Sequence, residues 1–94
     1  MPAYWIAHVT VANPERYRGY MALAPDAFRR HEARFLARGG AHETLEGPLY
    51  ERHVVIEFPD LASARACWES SEYQAARAQR IGAALAHVCI VEGC

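Results

Sequence analysis

The chain reads as an α+β protein of ferredoxin-like topology, βαββαβ, with two helical layers on one face of an antiparallel sheet. Three observations predict it. Runs rich in β-branched and aromatic residues, YWIAHVTVA (4–12) and HVVIEF (53–58), alternate with helix-period segments that open on capping residues. Their order is strand, helix, strand, strand, helix, strand, which two helices and an antiparallel sheet satisfy most economically as a split β-α-β unit. Apolar residues fall on both sides of the strands, so the sheet face without helices also asks for cover.

By strand period, Tyr4, Ile6, His8 and Thr10 share one side of the first strand, and Trp5, Ala7, Val9 and Val11 the other. Asn13-Pro14-Glu15 then supplies an N-cap, a proline at the first helical position and an early acid. Tyr17, Tyr20, Met21, Ala24 and Phe28 recur at helical spacing. Pro25 lacks an N–H and clashes with the preceding turn, so a break is expected near Leu23–Ala24, with Pro25-Asp26 opening a second short turn. Residues 32–38 form the next strand. Gly39-Gly40 tolerate positive φ and turn a hairpin whose returning arm is His42–Glu46, ended by Gly47-Pro48.

The run 53–58 is the strongest strand, with Val54, Ile56 and Phe58 on one side and His53, Val55 and Glu57 on the other. Pro59-Asp60 stop it and cap a helix carrying Leu61, Ala64, Cys67 and Trp68 on one stripe. Ser71-Glu72-Tyr73-Gln74 reads as a capping box that opens a second helical segment to about residue 82. AHVCIVE (86–92) is the last strand.

A length of 94 residues predicts a single domain, 1–94, small enough to gain from oligomerising. The hydrophobic fraction is 52% and the formal charge −1, with every basic charge an arginine. That balance offers no field for nucleic acid or an anionic membrane surface. No run approaches the ~20 apolar residues of a membrane span, and the N-terminus alternates where a signal peptide would be basic and then apolar. Cys67, Cys89 and Cys94 are odd in number and lack CxxC spacing, which suits a reduced cytoplasmic chain. Cys67 and Cys89 read as small core residues and Cys94 as exposed and the most reactive.

The segments YWIAHV, FLARGG, VIEFP, SSEYQAAR and IVEG stand in an order and spacing similar to the uncharacterised bacterial family DUF1330, which the chain resembles over essentially its whole length. The resemblance implies membership of the dimeric α+β barrel superfamily, whose ferredoxin-like units pair sheet to sheet. Relatives in that superfamily include cofactor-independent monooxygenases of antibiotic synthesis, muconolactone isomerase, and haem-binding chlorite dismutase and dye-decolourising peroxidase. The family commonly has Ser-Pro-Glu-Tyr where this chain has Ser70-Ser71-Glu72-Tyr73, which removes one rigid helix start and keeps the cap. A shared fold implies assembly and a class of functions, and no particular activity.

Glu57, in mid-strand, needs a partner or a raised pKa. It could pair with Arg38 or Arg34 across the neighbouring strand, or serve as a general base. His8 and His53 share its face by parity, but the spacing fits no metal motif, and no metal or other cofactor is expected. No histidine matches a haem axial-ligand motif, and His31, His42 and His87 are expected in solvent at element ends. Arg38, before Gly39-Gly40, could hold a carboxylate or enolate in two-point contact. Tyr17, Tyr20, Trp68 and Tyr73 are core by default, and with His53 are the candidates to line any pocket.

The chain has no GxSxG, phosphate loop, HExxH or CxxC. Two functional readings follow. One is a cofactor-independent enzyme, monooxygenase- or isomerase-like, acting on a small organic acid or phenol, with Arg38 holding oxyanion charge and Glu57 or His8 moving a proton. The other is a non-catalytic small-molecule-binding or structural module. Both are homodimers through the helix-free sheet face, and convergence of Glu57, Arg38 and His8 on one cavity would favour the enzyme.

Overall fold

The computed structural model describes all residues, Met1–Cys94. Four strands, β1 (Ala3–Val11), β2 (Arg34–Arg38), β3 (Arg52–Phe58) and β4 (Ala84–Glu92), form one antiparallel sheet in the order β2-β3-β1-β4. Three helices, α1 (Pro14–Arg30), α2 (Leu61–Glu69) and α3 (Ser71–Arg80), cover one face of it. This is the ferredoxin-like arrangement.

Side-chain period assigns the faces. Trp5, Ala7 and Val9 of β1 and Ile56 and Phe58 of β3 are buried under the helices. Their core centres on Trp5, whose ring lies 4.9 Å from Tyr73, 5.1 Å from Phe28, 5.7 Å from Trp68 and 5.9 Å from Phe58. The other face presents Tyr4, Ile6, Val55, Leu85, Cys89 and Val91 in partly exposed rows, with no helix over them.

Asn13 Oδ1 accepts from the Arg16 N–H, and Asp60 Oδ1 from the Ser63 N–H, so α1 and α2 begin where the sequence places their caps. Three local expectations are corrected. First, α1 runs unbroken through Pro25 to Arg30. Proline costs a helix interior about 3 kcal/mol, but Ala24 just before it and Ala27 and Phe28 in the turn beyond it are buried in the core, and that packing carries the helix through. Second, α3 is capped by Ser70, one residue early: its hydroxyl donates to the Cys67 carbonyl and accepts from the Tyr73 N–H. Gln74 instead donates to the Trp68 carbonyl at 2.6 Å.

Third, His42–Glu46 is not a strand. Residues 39–51 form one long connection, and the antiparallel partner of β2 is β3 itself. The polar run His42-Glu43-Thr44 has no alternation to bury on either side, so strand pairing would gain nothing there. A bulge at Leu36 also shifts the register: Arg34 and Phe35 lie opposite Glu57 and Ile56, but Ala37 and Arg38 lie opposite Val55 and Val54. One extra residue therefore turns Arg38 toward the helices and leaves Arg34 on the open face.

Candidate functional site

Beneath α1, the sheet encloses a cavity of about 40 Å³ walled by Tyr17, Tyr20, Met21, Phe28, Phe35 and Trp5 among others. At ~10–15 Å³ per ordered water it has room for about three waters. It shares Tyr17, Met21 and Arg52 with an adjoining surface groove of about 330 Å³. Met21 is 39% exposed, and its flexible thioether is the wall that moves most cheaply.

Two arginines stand where this apolar cavity meets solvent. Arg38 arrives there through the Leu36 bulge and stacks on the Phe35 ring at 4.3 Å. Arg52, from the covered side of β3, packs against Gly39, which has φ +70°. A Cβ added there would lie 2.5 Å from Arg52 Nη1. The glycine's bare backbone thus makes room for a guanidinium. Neither arginine pairs with a carboxylate, and the Arg52 Nε–H is buried without an acceptor. An orphaned charged donor beside an apolar cavity is costly until an anion arrives.

A third arginine backs the site. Arg80 is only 7% exposed, again with no carboxylate partner. Its Nη2 donates to the Tyr73 hydroxyl at 3.1 Å, and Tyr73 and Tyr20 share a 3.0 Å hydrogen bond. Desolvation raises the pKa of the Tyr20 phenol well above its ordinary value, so it stays neutral and leaves the Arg80 charge uncancelled. Tyr17 is raised too, by desolvation, with the charges of Arg52 and Arg80 opposing.

The residues singled out from sequence therefore divide. Arg38, Tyr17 and Tyr20 line the cavity. Tyr73 and Trp68 are core packing around Trp5, and Trp68 also borders a cleft between α2 and β4. Glu57, His8 and His53 lie on the opposite face of the sheet, so Arg38 does not meet Glu57 or His8 at a common site. Glu57 instead accepts from Arg34 Nη2 at 2.8 Å. His8 lies in register with His53, and Glu57 with Tyr4, four residues along β1; at ~3.3 Å per residue that is about 13 Å away. Arg52 and Arg80 were missed. Counting by twos from Val54 puts Arg52 on the cavity side, so that signal was present; Arg80 lies in a helix tail whose burial no local pattern marks.

One expectation of burial is reversed, and one of exposure is met in an unforeseen setting. Cys89 is exposed on β4, and only Cys67 is packed, its thiol pushed up to about 12 by burial. His42 and His87 are exposed, as expected, and are gathered with His8 and His53 around a groove on the open face. No three His, Cys, Asp or Glu side chains converge into a metal-binding group, and no helix is long and apolar enough to cross a membrane.

Fold and cavity define a ferredoxin-like α+β protein with an arginine-edged pocket between helix and sheet. The chain belongs to the DUF1330 family, a domain of unknown function whose model matches residues 2–94. It is similar in fold to RPA0582, a protein of unknown function from Rhodopseudomonas palustris, at 18% identity and a TM-score of 0.79 over 99% of this chain and 82% of that one. A dimeric ferredoxin-like protein of unknown function from Jannaschia sp. CCS1 shares 14% identity, with a TM-score of 0.73 over 99% and 100%. SnoaB, a cofactor-independent oxygenase from Streptomyces nogalater, shares 11% identity, with a TM-score of 0.65 over 99% and 93%. No curated protein matches the chain.

Proposed function

We propose that this protein is a cytoplasmic homodimer of single-domain chains whose cavity binds a small organic acid, the carboxylate held by Arg38 and Arg52 and the apolar part received beneath α1. The observation that carries the reading is two unpaired guanidiniums, one with a buried donor lacking an acceptor, at the edge of a cavity otherwise walled by apolar and aromatic side chains. Such a site prefers an anion with an apolar body. The uncancelled charge of Arg80 behind Tyr73 and Tyr20 adds to the preference.

Pairing through the helix-free face is supported by its half-exposed apolar rows and by the 39–51 connection, where Leu45 and Leu49 are 90% and 80% exposed. A standard interface of about 1,600 Å² would cover them. The protein from Jannaschia, similar in fold, is described as dimeric.

A second reading, cofactor-independent oxygenation or isomerisation of such an acid or a phenol, has its support in the cavity's phenols and cationic backing, which would stabilise an enolate or phenolate. SnoaB, similar in fold at 11% identity, is described as a cofactor-independent oxygenase. Glu57 and His8 lie outside this cavity. Tyr17 and Tyr20, kept neutral by desolvation, could donate a hydrogen bond to the developing oxyanion but not take a proton, so the base would have to be the substrate itself or water.

Calorimetric titration with benzoate, and with benzamide as its neutral counterpart, tests the proposal. Benzoate should bind and benzamide should not, and Arg38→Ala and Arg52→Ala should each weaken benzoate at least tenfold, the loss of one charge-assisted contact. Equal binding of both probes, or affinity unchanged in both variants, would overturn it.

A further inference from the structure

Four of the chain's five histidines border one groove on the open face of the sheet. Three are in a single cross-strand row, His53 of β3 opposite His8 of β1, and His8 opposite His87 of β4. Neighbouring strands are ~4.8 Å apart, so these rings are near neighbours by construction. His8 Nδ1 and His53 Nδ1 are 2.8 Å apart, in hydrogen-bond contact. The 39–51 connection extends the row at both ends: the His42 ring lies 4.4 Å from His53, and the Tyr50 hydroxyl bonds His87 Nδ1 at 3.1 Å.

We propose that this histidine row makes pairing of two copies of the chain proton-sensitive, holding the dimer near neutral pH and releasing it in mild acid. The proposal rests on the dimer through the helix-free face put forward above. Its chemistry is that of the nitrogen pair. An Nδ1–H···Nδ1 bond needs a lone pair on one ring, so the His8–His53 contact survives with no charge or one, but not with two. A second proton leaves two donors and two like charges 2.8 Å apart. The carboxylates bordering the groove are Glu43 and Glu46, from the connection, and no ion pair ties either to an imidazole.

The sign follows from proton uptake. His53 has its pKa lowered from the ordinary 6.5, by desolvation first and then by the charges of His42 and His8. Above that value both separated and paired chains hold neutral rings, and pH changes nothing. That lowering is already present in the single chain, and a second copy laid over the row would remove more water and lower it further. As pH falls, separated chains therefore take up protons before paired ones, and the equilibrium shifts toward separation.

Sedimentation equilibrium of the full chain at pH 7.5 and pH 5.0, each with and without EDTA, tests this against His8→Gln, His53→Gln and the double variant. Glutamine keeps hydrogen-bonding capacity and cannot be protonated in this range. The expected result is a wild-type dimer at pH 7.5 whose dissociation constant rises at least tenfold at pH 5.0, with the rise reduced at least threefold in the double variant. A wild-type dimer equally tight at both pH values overturns the switch and leaves the dimer standing. A pH effect undiminished in the double variant overturns its assignment to the row. A monomer at pH 7.5 overturns the dimer itself, and the switch with it. A wild-type dimer at pH 7.5 that EDTA alone dissociates would mean that the row holds a metal ion, which also overturns the switch. Should the variants misfold by circular dichroism, proton NMR of the wild-type imidazoles decides. His53 titrating lower in concentrated than in dilute protein supports the proposal, and a titration independent of concentration overturns it.

Discussion

The two faces of the sheet are built on opposite rules. Under the helices, position is enforced by packing: Trp5 is in van der Waals reach of aromatic rings from both of the longer helices and from β3, and its neighbours on that face are almost wholly buried. On the open face, position is enforced by pairing across strands, with Arg34 against Glu57 and His53 against His8 against His87. Packing tolerates no lost volume. Exposed polar pairs tolerate a good deal, because water replaces what is removed.

The largest expected difference between the faces is in stability. Trp5→Ala should cost about 3–5 kcal/mol in urea unfolding, as large-to-small core changes do. Val55→Ala, one face over, should cost about 1 kcal/mol or less when measured on the monomer. Similar losses for both would mean the open face is as firmly packed as the covered one.

Gly39→Ala comes next. At φ +70° a side chain is strained, and its Cβ would force Arg52 Nη1 to move. About 1–2 kcal/mol of stability should be lost, together with most of the benzoate affinity. Intact affinity in that variant would show that Arg52 needs no such seat.

The Arg34–Glu57 pair should matter less. Arg34 is 72% exposed and Glu57 26%, so Glu57→Gln should change monomer stability by about 1 kcal/mol or less. It should leave benzoate binding untouched, because Glu57 faces away from the cavity. A loss of binding would show that the two faces communicate.

The smallest effect is kinetic. At pH 7.5 Cys94 should react with a thiol reagent at once, and Cys67, buried with its pKa near 12, should stay silent without denaturant. Cys89 separates the monomer from the dimer. On the open face it should label as fast as Cys94 in dilute protein and several-fold more slowly in concentrated protein. Concentration-independent labelling would place the interface elsewhere.

The same contrast explains what was legible in the sequence. The element order, the caps at Asn13 and Asp60 and the faces of residues 4–11 and 53–58 follow from period and local chemistry, and the structure agrees. The helix through Pro25 did not follow, because a local rule lost to burial of the next turn. Nor did the site. Arg34 and Arg38 are an even number of residues apart and so read as sharing a face, and only the Leu36 bulge, invisible to parity, separates them. The gathering of His42 and His87 with His8 and His53 did not follow either, because neither cross-strand register nor the path of a long connection is written in any short window. Arg52 was within reach of the same counting that placed Val54.

The Leu36 bulge has a thermodynamic consequence. Strand β2 is only five residues long, yet it delivers one arginine to each side of the sheet. Whatever displacement a bound acid imposes at Arg38 is carried through that short segment to Arg34, on the surface where a second copy would sit. Free-energy cycles are symmetric. The factor by which acid binding alters self-association is the factor by which self-association alters acid binding, so measuring either equilibrium at two concentrations of the other component yields both.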